Sequence, residues 1–222
     1  MIQKIKMLRS NISANYLVVF VRYLIGYAFI PSGLVKVLGE RFTLLPVSNP
    51  VGYFFDALYK SGIYWNFLGV SQIVAAFLLM TQRFATIGAL MFLGIVTNIF
   101  LITVGVNFGN TRYVTFLMWL AASLLVLWDW ERVRLLFLKP QQIKEVNISQ
   151  DRISNNWAYL GFFLFLFHVT LSLLNYRGML GENRMLRIIV PFLITVLAVG
   201  VTFLIDFKRT KNSGMPDSVN PN

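Results

Sequence analysis

The sequence predicts an all-α membrane protein: a four-helix transmembrane bundle followed by two additional C-terminal transmembrane helices, six spans in total. Three observations carry this. Hydrophobic residues make up 57% of the 222 positions and charged residues only 13%, with a mean hydropathy of +0.66, far outside soluble usage. Six apolar runs approach the ~20 residues that a helix needs to cross a bilayer. The basic residues also fall unevenly on the connections between those runs, as membrane topology requires.

The first span is expected over Tyr16 to Leu38. Its basic start followed by an apolar run resembles a secretory signal, but no small-residue cleavage site follows, so the segment is read as retained. Thirteen Leu, Ile, Val or Phe residues lie in it, each contributing about −0.3 to −0.6 kcal/mol to insertion. Together they outweigh one central arginine at about +2.5 to +3.5 kcal/mol.

The segment after it contains a short interfacial helix. Ser48 or Asn49 can cap it and Pro50 suits a first helical position, while Val51, Phe54, Phe55 and Leu58 recur on one side. Asp56 and Lys60 stand four apart on the wetter side. This helix near residues 50–60 reads either as ordinary interfacial packing or as a lid over a site.

The remaining spans are expected over Ile63 to Met80, Ile87 to Val106, Tyr113 to Trp130, Trp157 to Leu174 and Ile188 to Phe207. Short connections at Thr81 to Phe84 and Asn107 to Arg112 make the second, third and fourth spans antiparallel neighbours. Trp128, Asp129 and Trp130 mark the boundary of the fourth span, and Glu131 to Leu138 continues as a basic amphipathic piece. The domain reading is therefore a four-helix unit over 1–138, a cytoplasmic linker over 139–156, a two-helix appendage over 157–207 and a disordered tail over 208–222.

Twelve Lys and Arg residues lie on the side of the N-terminus and six on the other, with Arg22 and Lys36 inside the first span. Both termini are accordingly expected in the cytoplasm. The formal net charge of +11 is dispersed over membrane-flanking loops and forms no stripe with base-stacking aromatics. Lipid headgroups are the expected counter-charge, and no nucleic-acid partner is expected.

The chain has no cysteine and one histidine. That excludes disulfide relays, thiol nucleophiles, Cys-ligated iron–sulfur clusters and Cys-containing zinc sites. No metal site and no intrinsic cofactor are expected. His168, near Gly161, Ser172 and Asn175 on one helical side, reads as an interhelical hydrogen-bonding residue.

Arg22, Gly26, Phe29, Gly33 and Lys36 share one face of the first span, and ionisable groups at membrane depth are functional candidates. Lys36 lies near the end of the span and is expected to snorkel. Arg22, about two turns from the inner end, either snorkels less comfortably or meets a partner in the bundle. Gln72, beside Gly69 and Ala76 on the second span, and Asn98, beside Met91, Gly94 and Gly105 on the third, are the expected inward-facing partners. Both are neutral amides, so an uncompensated cation would invite an anion or an electron-rich polar ligand. The ligand-binding candidates are thus Arg22, Lys36, Gln72 and Asn98. Under the structural alternative, Gly26, Gly33, Gly69 and Gly94 allow close helix packing and the amides act as glue.

The run Arg22-Tyr-Leu-Ile-Gly26-Tyr-Ala-Phe29-Ile-Pro-Ser32-Gly33-Leu-Val-Lys36 resembles the first-helix signature of DoxX-like membrane proteins. Gly69-Val-Ser-Gln72 and Leu78-Leu79-Met80-Thr81-Gln82-Arg83-Phe84-Ala85 are similar to that family's second helix and its tight basic turn. The resemblance covers about residues 16 to 138. It implies a four-helix bundle of the bacterial inner membrane, related to the membrane subunit of thiosulfate:quinone oxidoreductase. Where many members of that family have an acidic residue, this chain has Gln72.

Three functional readings follow. In the first, the protein is an accessory or anchoring subunit of a membrane redox complex, quinone-linked and non-catalytic by itself, with other membrane subunits as partners. In the second, it is a quinone- or small-molecule-binding oxidoreductase subunit. In the third, it is a small-anion transporter or channel, with Lys36 at the outer mouth and Arg22 deeper. No residue is assigned a catalytic role.

Overall fold

The computed structural model describes residues 7–138, 153–179 and 184–212, with side chains of the last helix from 189 to 209. The described residues form helices and connecting turns, with no strand among them. Six helices are long and apolar enough to cross a membrane, and the molecule is a multi-pass helical membrane protein. The elements are α1 (Ile12–Val37), α2 (Pro50–Lys60), α3 (Ile63–Met80), α4 (Ala85–Gly105), α5 (Thr111–Trp128), the short α6 (Trp130–Val133), a 3-10 turn (Arg134–Phe137), α7 (Asn156–Tyr176) and α8 (Arg184–Asn212). Helix α8 continues past the expected span end at Phe207 to Asn212, correcting the reading of residues 208–212 as tail. The expected linker falls largely on residues 139–152, which lie outside the described residues, as does the tail from 213 onward.

Helix α1 starts where the Asn11 side chain accepts from Ser13 N at 2.9 Å, as an N-cap should. It ends where Gly39, at φ +70°, lets Gly39 N reach Lys36 O and Glu40 N reach Val35 O. This is a glycine-terminated cap that satisfies the last carbonyls. Between these ends α1 packs chiefly against α3, and also meets α5 and α7.

The α1–α3 crossing is close because glycines face backbone across it. A Cβ on Gly33 would stand 2.9 Å from Gly69 O, and one on Gly69 would stand 2.6 Å from Gly33 O. Gly26 faces the Met80 side chain at 2.8 Å. Phe29 of α1 stacks on Phe92 of α4 with ring centroids 3.8 Å apart, filling the centre of the four-helix unit among Val19, Ile25, Ala76, Leu79, Val96 and Ala122.

Helix α7 packs into this unit along α1 and α3. A Cβ on Gly161 would lie 1.7 Å from Met80 O, and Tyr23 Oη donates to Trp157 O. Helix α8 rests on α7 and reaches α1 through Asp206, whose Oδ2 accepts from Tyr16 Oη at 3.2 Å and from Trp157 Nε1 at 2.9 Å.

Helix α2 forms with the expected bounds. Asn49 accepts from Val51 N at 2.9 Å and Pro50 opens the helix. Asp56 is held by Lys60 Nζ at 2.7 Å and Arg41 Nη2 at 2.8 Å, and Phe55 lies against Phe42 and Phe108. The hydrogen bond from Lys60, with Arg41 beside it, holds the Asp56 carboxyl below the ordinary carboxylate range.

Candidate functional site

Four connections bring their polar residues to the end of the bundle where α1 begins. They are the residues before α1, the α3–α4 turn, the first turn of α4 and the end of α5. Asp129 lies at their centre, 0% exposed. Its Oδ1 accepts from Arg9 Nη2 at 3.0 Å and from Arg132 Nη1 at 3.3 Å. Its Oδ2 accepts from Arg22 Nη2 at 3.0 Å and from Thr86 Oγ1 at 3.1 Å. An ionised carboxylate offers about four lone-pair sites, and four donors occupy them.

The surrounding contacts fix the guanidiniums as well. Arg9 also donates to Trp128 O at 2.7 Å and lies over the Trp128 ring. Arg22 Nη1 donates to Gln82 Oε1 at 2.9 Å, while Gln82 Nε2 reaches back to Leu79 O at 3.1 Å. A carboxylate at the end of α5 opposes that helix's dipole, and the guanidiniums offset it. The cluster thereby ties α1, the α3–α4 turn, α4 and α5 together through one anion.

This corrects the expected environment of Arg22. Its partners include Asp129 and Gln82, not Gln72 and Asn98, and it shares the Asp129 carboxylate with Arg9 and Arg132. The cause lies in helix geometry: the Cα–Cβ bond tilts toward the helix N-terminus, so the long side chain reaches toward the start of α1. Asp129 enters from the same end, 107 residues away in sequence.

Lys36 lies near the other end of α1, about 21 Å away at 1.5 Å per residue. It does not snorkel to solvent. It is 7% exposed, donates to Ser32 O at 2.8 Å, and sits 4.8 and 5.0 Å from the Phe42 and Trp65 ring centroids. Trp65 is oriented in turn by donating Nε1 to Glu40 O at 2.9 Å. The aromatic rings supply cation–π contact where water is excluded. The stacked Phe29–Phe92 pair lies in the interior along the face of α1 between the two cations.

Gln72 faces inward as expected. It is 1% exposed, and neither amide atom has a hydrogen-bond partner. It packs at the α1–α3 crossing, where its Cβ would be 3.3 Å from a Cβ on Gly33. Asn98 is the opposite case. It is exposed on the outer face of α4, and its Nδ2 donates to Gly94 O at 2.9 Å. Gly94 meets nothing within 4 Å, so Asn98 is no inward partner and Gly94 is no packing glycine inside this chain. The glycines of close contact are Gly26, Gly33 and Gly69, as expected, together with Gly52, Gly88 and Gly161.

His168 makes the expected interhelical hydrogen bond, with its partner on α8: Thr195 Oγ1 is 3.2 Å from Nε2. Tyr27 packs on the ring at 4.4 Å. Among the described residues no group of three or more His, Cys, Asp or Glu could hold a metal ion.

Sequence reasoning missed Asp129 and Asp206 as buried partners that join the helices. Asp129 carried one usable signal, a carboxylate between two tryptophans at the bundle end nearest Arg22. Asp206 carried a weaker one, an acid within the apolar run of the last span.

No family model matches the chain, and no solved structure matches it. It is similar to the uncharacterized protein YwoB of Bacillus subtilis (strain 168), at 31% identity over 129 residues covering 55% of this chain and 79% of that protein. Similarity at that identity across most of the relative's length makes this chain, a six-span bundle with a saturated Arg–Asp cluster, a member of the family that includes YwoB.

Proposed function

We propose that the protein is a DoxX-like accessory or anchoring subunit of a membrane redox complex, non-catalytic by itself and quinone-linked through its partners in the bacterial inner membrane. The observation that carries this reading is the saturation of Asp129 by Arg9, Arg22, Arg132 and Thr86. The deep arginine is committed to holding helices together, so the polar groups at membrane depth support scaffolding more than chemistry. A sequence with no cysteine and a single histidine, engaged with Thr195, also favours a subunit that leaves redox ligation to others.

Gentle detergent extraction of the tagged chain from its native membranes tests the reading. A redox enzyme is expected to co-purify, and its quinone-dependent activity in membranes is expected to fall when the chain is deleted. Recovery of the chain without such an enzyme, and unchanged membrane activity on deletion, would overturn it.

Gln72 favours a second reading, a quinone- or small-molecule-binding oxidoreductase subunit. A buried amide without partners carries a cost of about 1–3 kcal/mol, which a ligand carbonyl or hydroxyl would relieve. In this reading Gln72 orients the ligand, Lys36 lies one helical turn nearer the far end, and Arg22 plays no part. Equal quinone content in purified native and Gln72→Leu protein would reject it.

A further inference from the structure

The outward face of α4 differs from that of α5. On α5 the outward positions are large and apolar, such as Val114, Leu117, Leu120 and Leu124. On α4 they include Gly94, Asn98 and Gly105, and both glycines meet open space. Asn98 lies near mid-span in one of the two most apolar of the spans. Its bond to Gly94 O uses one N–H. The second N–H and the carbonyl oxygen face hydrocarbon, where an unmatched polar group costs free energy.

The spacing on this face is ordered. Ile87, Met91, Gly94, Asn98, Leu101 and Gly105 follow alternating steps of four and three, the seam of a left-handed helix pair. Met91 is half-buried and the others are exposed, so the seam is open along the length of the span.

We propose that this face pairs two copies of the chain, α4 against α4, in parallel and in register about a two-fold axis along the membrane normal. Two copies inserted with the same topology present identical residues at equal depth. The seam must then be complementary to itself, and it is. Gly94 opposite Gly94 permits close approach of the backbones. Asn98 opposite Asn98 places a donor and an acceptor on each side, so each amide satisfies the other's remaining groups. A single amide in such a seam also fixes register and pair number. This pairing does not depend on the redox reading above.

Because the chain has no cysteine, each single substitution introduces a unique thiol. Ile87→Cys, Gly94→Cys and Leu101→Cys are expected to give disulfide-linked dimers on mild oxidation in native membranes, since seam positions bring Cα atoms within about 7 Å. Leu117→Cys and Leu124→Cys, exposed on α5, are expected to stay monomeric. Asn98→Leu, at an exposed position that should leave the fold intact by circular dichroism, is expected to weaken dimerisation in lipid vesicles about five- to thirtyfold by energy transfer between labelled copies. Equal cross-linking on α4 and α5, cross-linking of α4 only to a different protein, or unchanged dimerisation of Asn98→Leu would each overturn the proposal.

Discussion

Replacing Asp129 by Asn keeps the shape of the side chain and removes its charge, leaving the Arg9, Arg22 and Arg132 guanidiniums around a neutral amide. In the native protein Asp129 is 0% exposed and Arg22 is 1% exposed, so water cannot take over the solvation. Removing one partner of a buried ion pair costs about 3–5 kcal/mol. For a chain of this length that corresponds to a loss of roughly 6–20 °C in melting temperature, taking about 2–4 °C per kcal/mol. Circular dichroism of detergent-purified protein reads it directly. Arg22→Met should cost less in the Asp129→Asn background than alone, because the contact is already gone. A coupling between the two substitutions of about 0.5–3 kcal/mol is expected for residues in direct contact. A stable Asp129→Asn protein, or strictly additive effects, would refute the assignment of Asp129 as the partner of Arg22.

Gly161→Ala should destabilise severely, because its Cβ would stand 1.7 Å from the Met80 carbonyl oxygen, whereas Gly94→Ala, with nothing within 4 Å, should keep the native melting temperature of the monomer. Asp206→Leu should break the contact with Trp157 Nε1 and loosen α8, seen as faster proteolysis within α8 while the rest of the chain stays protected. Asp56 should titrate on the acid side of the ordinary 3.8, because Lys60 and Arg41 favour its charged form. The anchoring of α2 is therefore complete above 3.8 and is lost as pH falls through the lower folded value. A carboxyl carbon resonance that titrates at or above 3.8 would contradict this.

The spans were legible because a bilayer sets a length that hydropathy reads directly, and α2 was legible because Asn49, Pro50 and the Asp56–Lys60 spacing are local signals. Gly26, Gly33 and Gly69 were legible because they share helical faces with other inward residues. The outward turn of Asn98 was not. The bundle interior and the lipid are both apolar, so the pattern of α4 does not tell its two sides apart. Arg22 and Asp129 were individually visible, but their meeting depends on the descent of α5 beside α1, 107 residues away in sequence. A search for an acid at the same bundle end as the arginine would have found it. Gln72 also faces inward, but it lies level with Gly33, whereas the long Arg22 side chain reaches the other way, toward the start of α1 and Gln82.

The most direct measurement is a solid-state NMR dephasing experiment in lipid bilayers, between the Asp129 carboxyl carbon and arginine guanidinium nitrogens, in native and Arg22→Leu protein. The native protein should show strong dephasing, consistent with Arg22 Nη2 at 3.0 Å from Oδ2, and Arg22→Leu should lose a clear part of it while Arg9 and Arg132 keep the rest. Identical dephasing in the two proteins would mean that Arg22 does not meet Asp129, and its charge would again need a ligand.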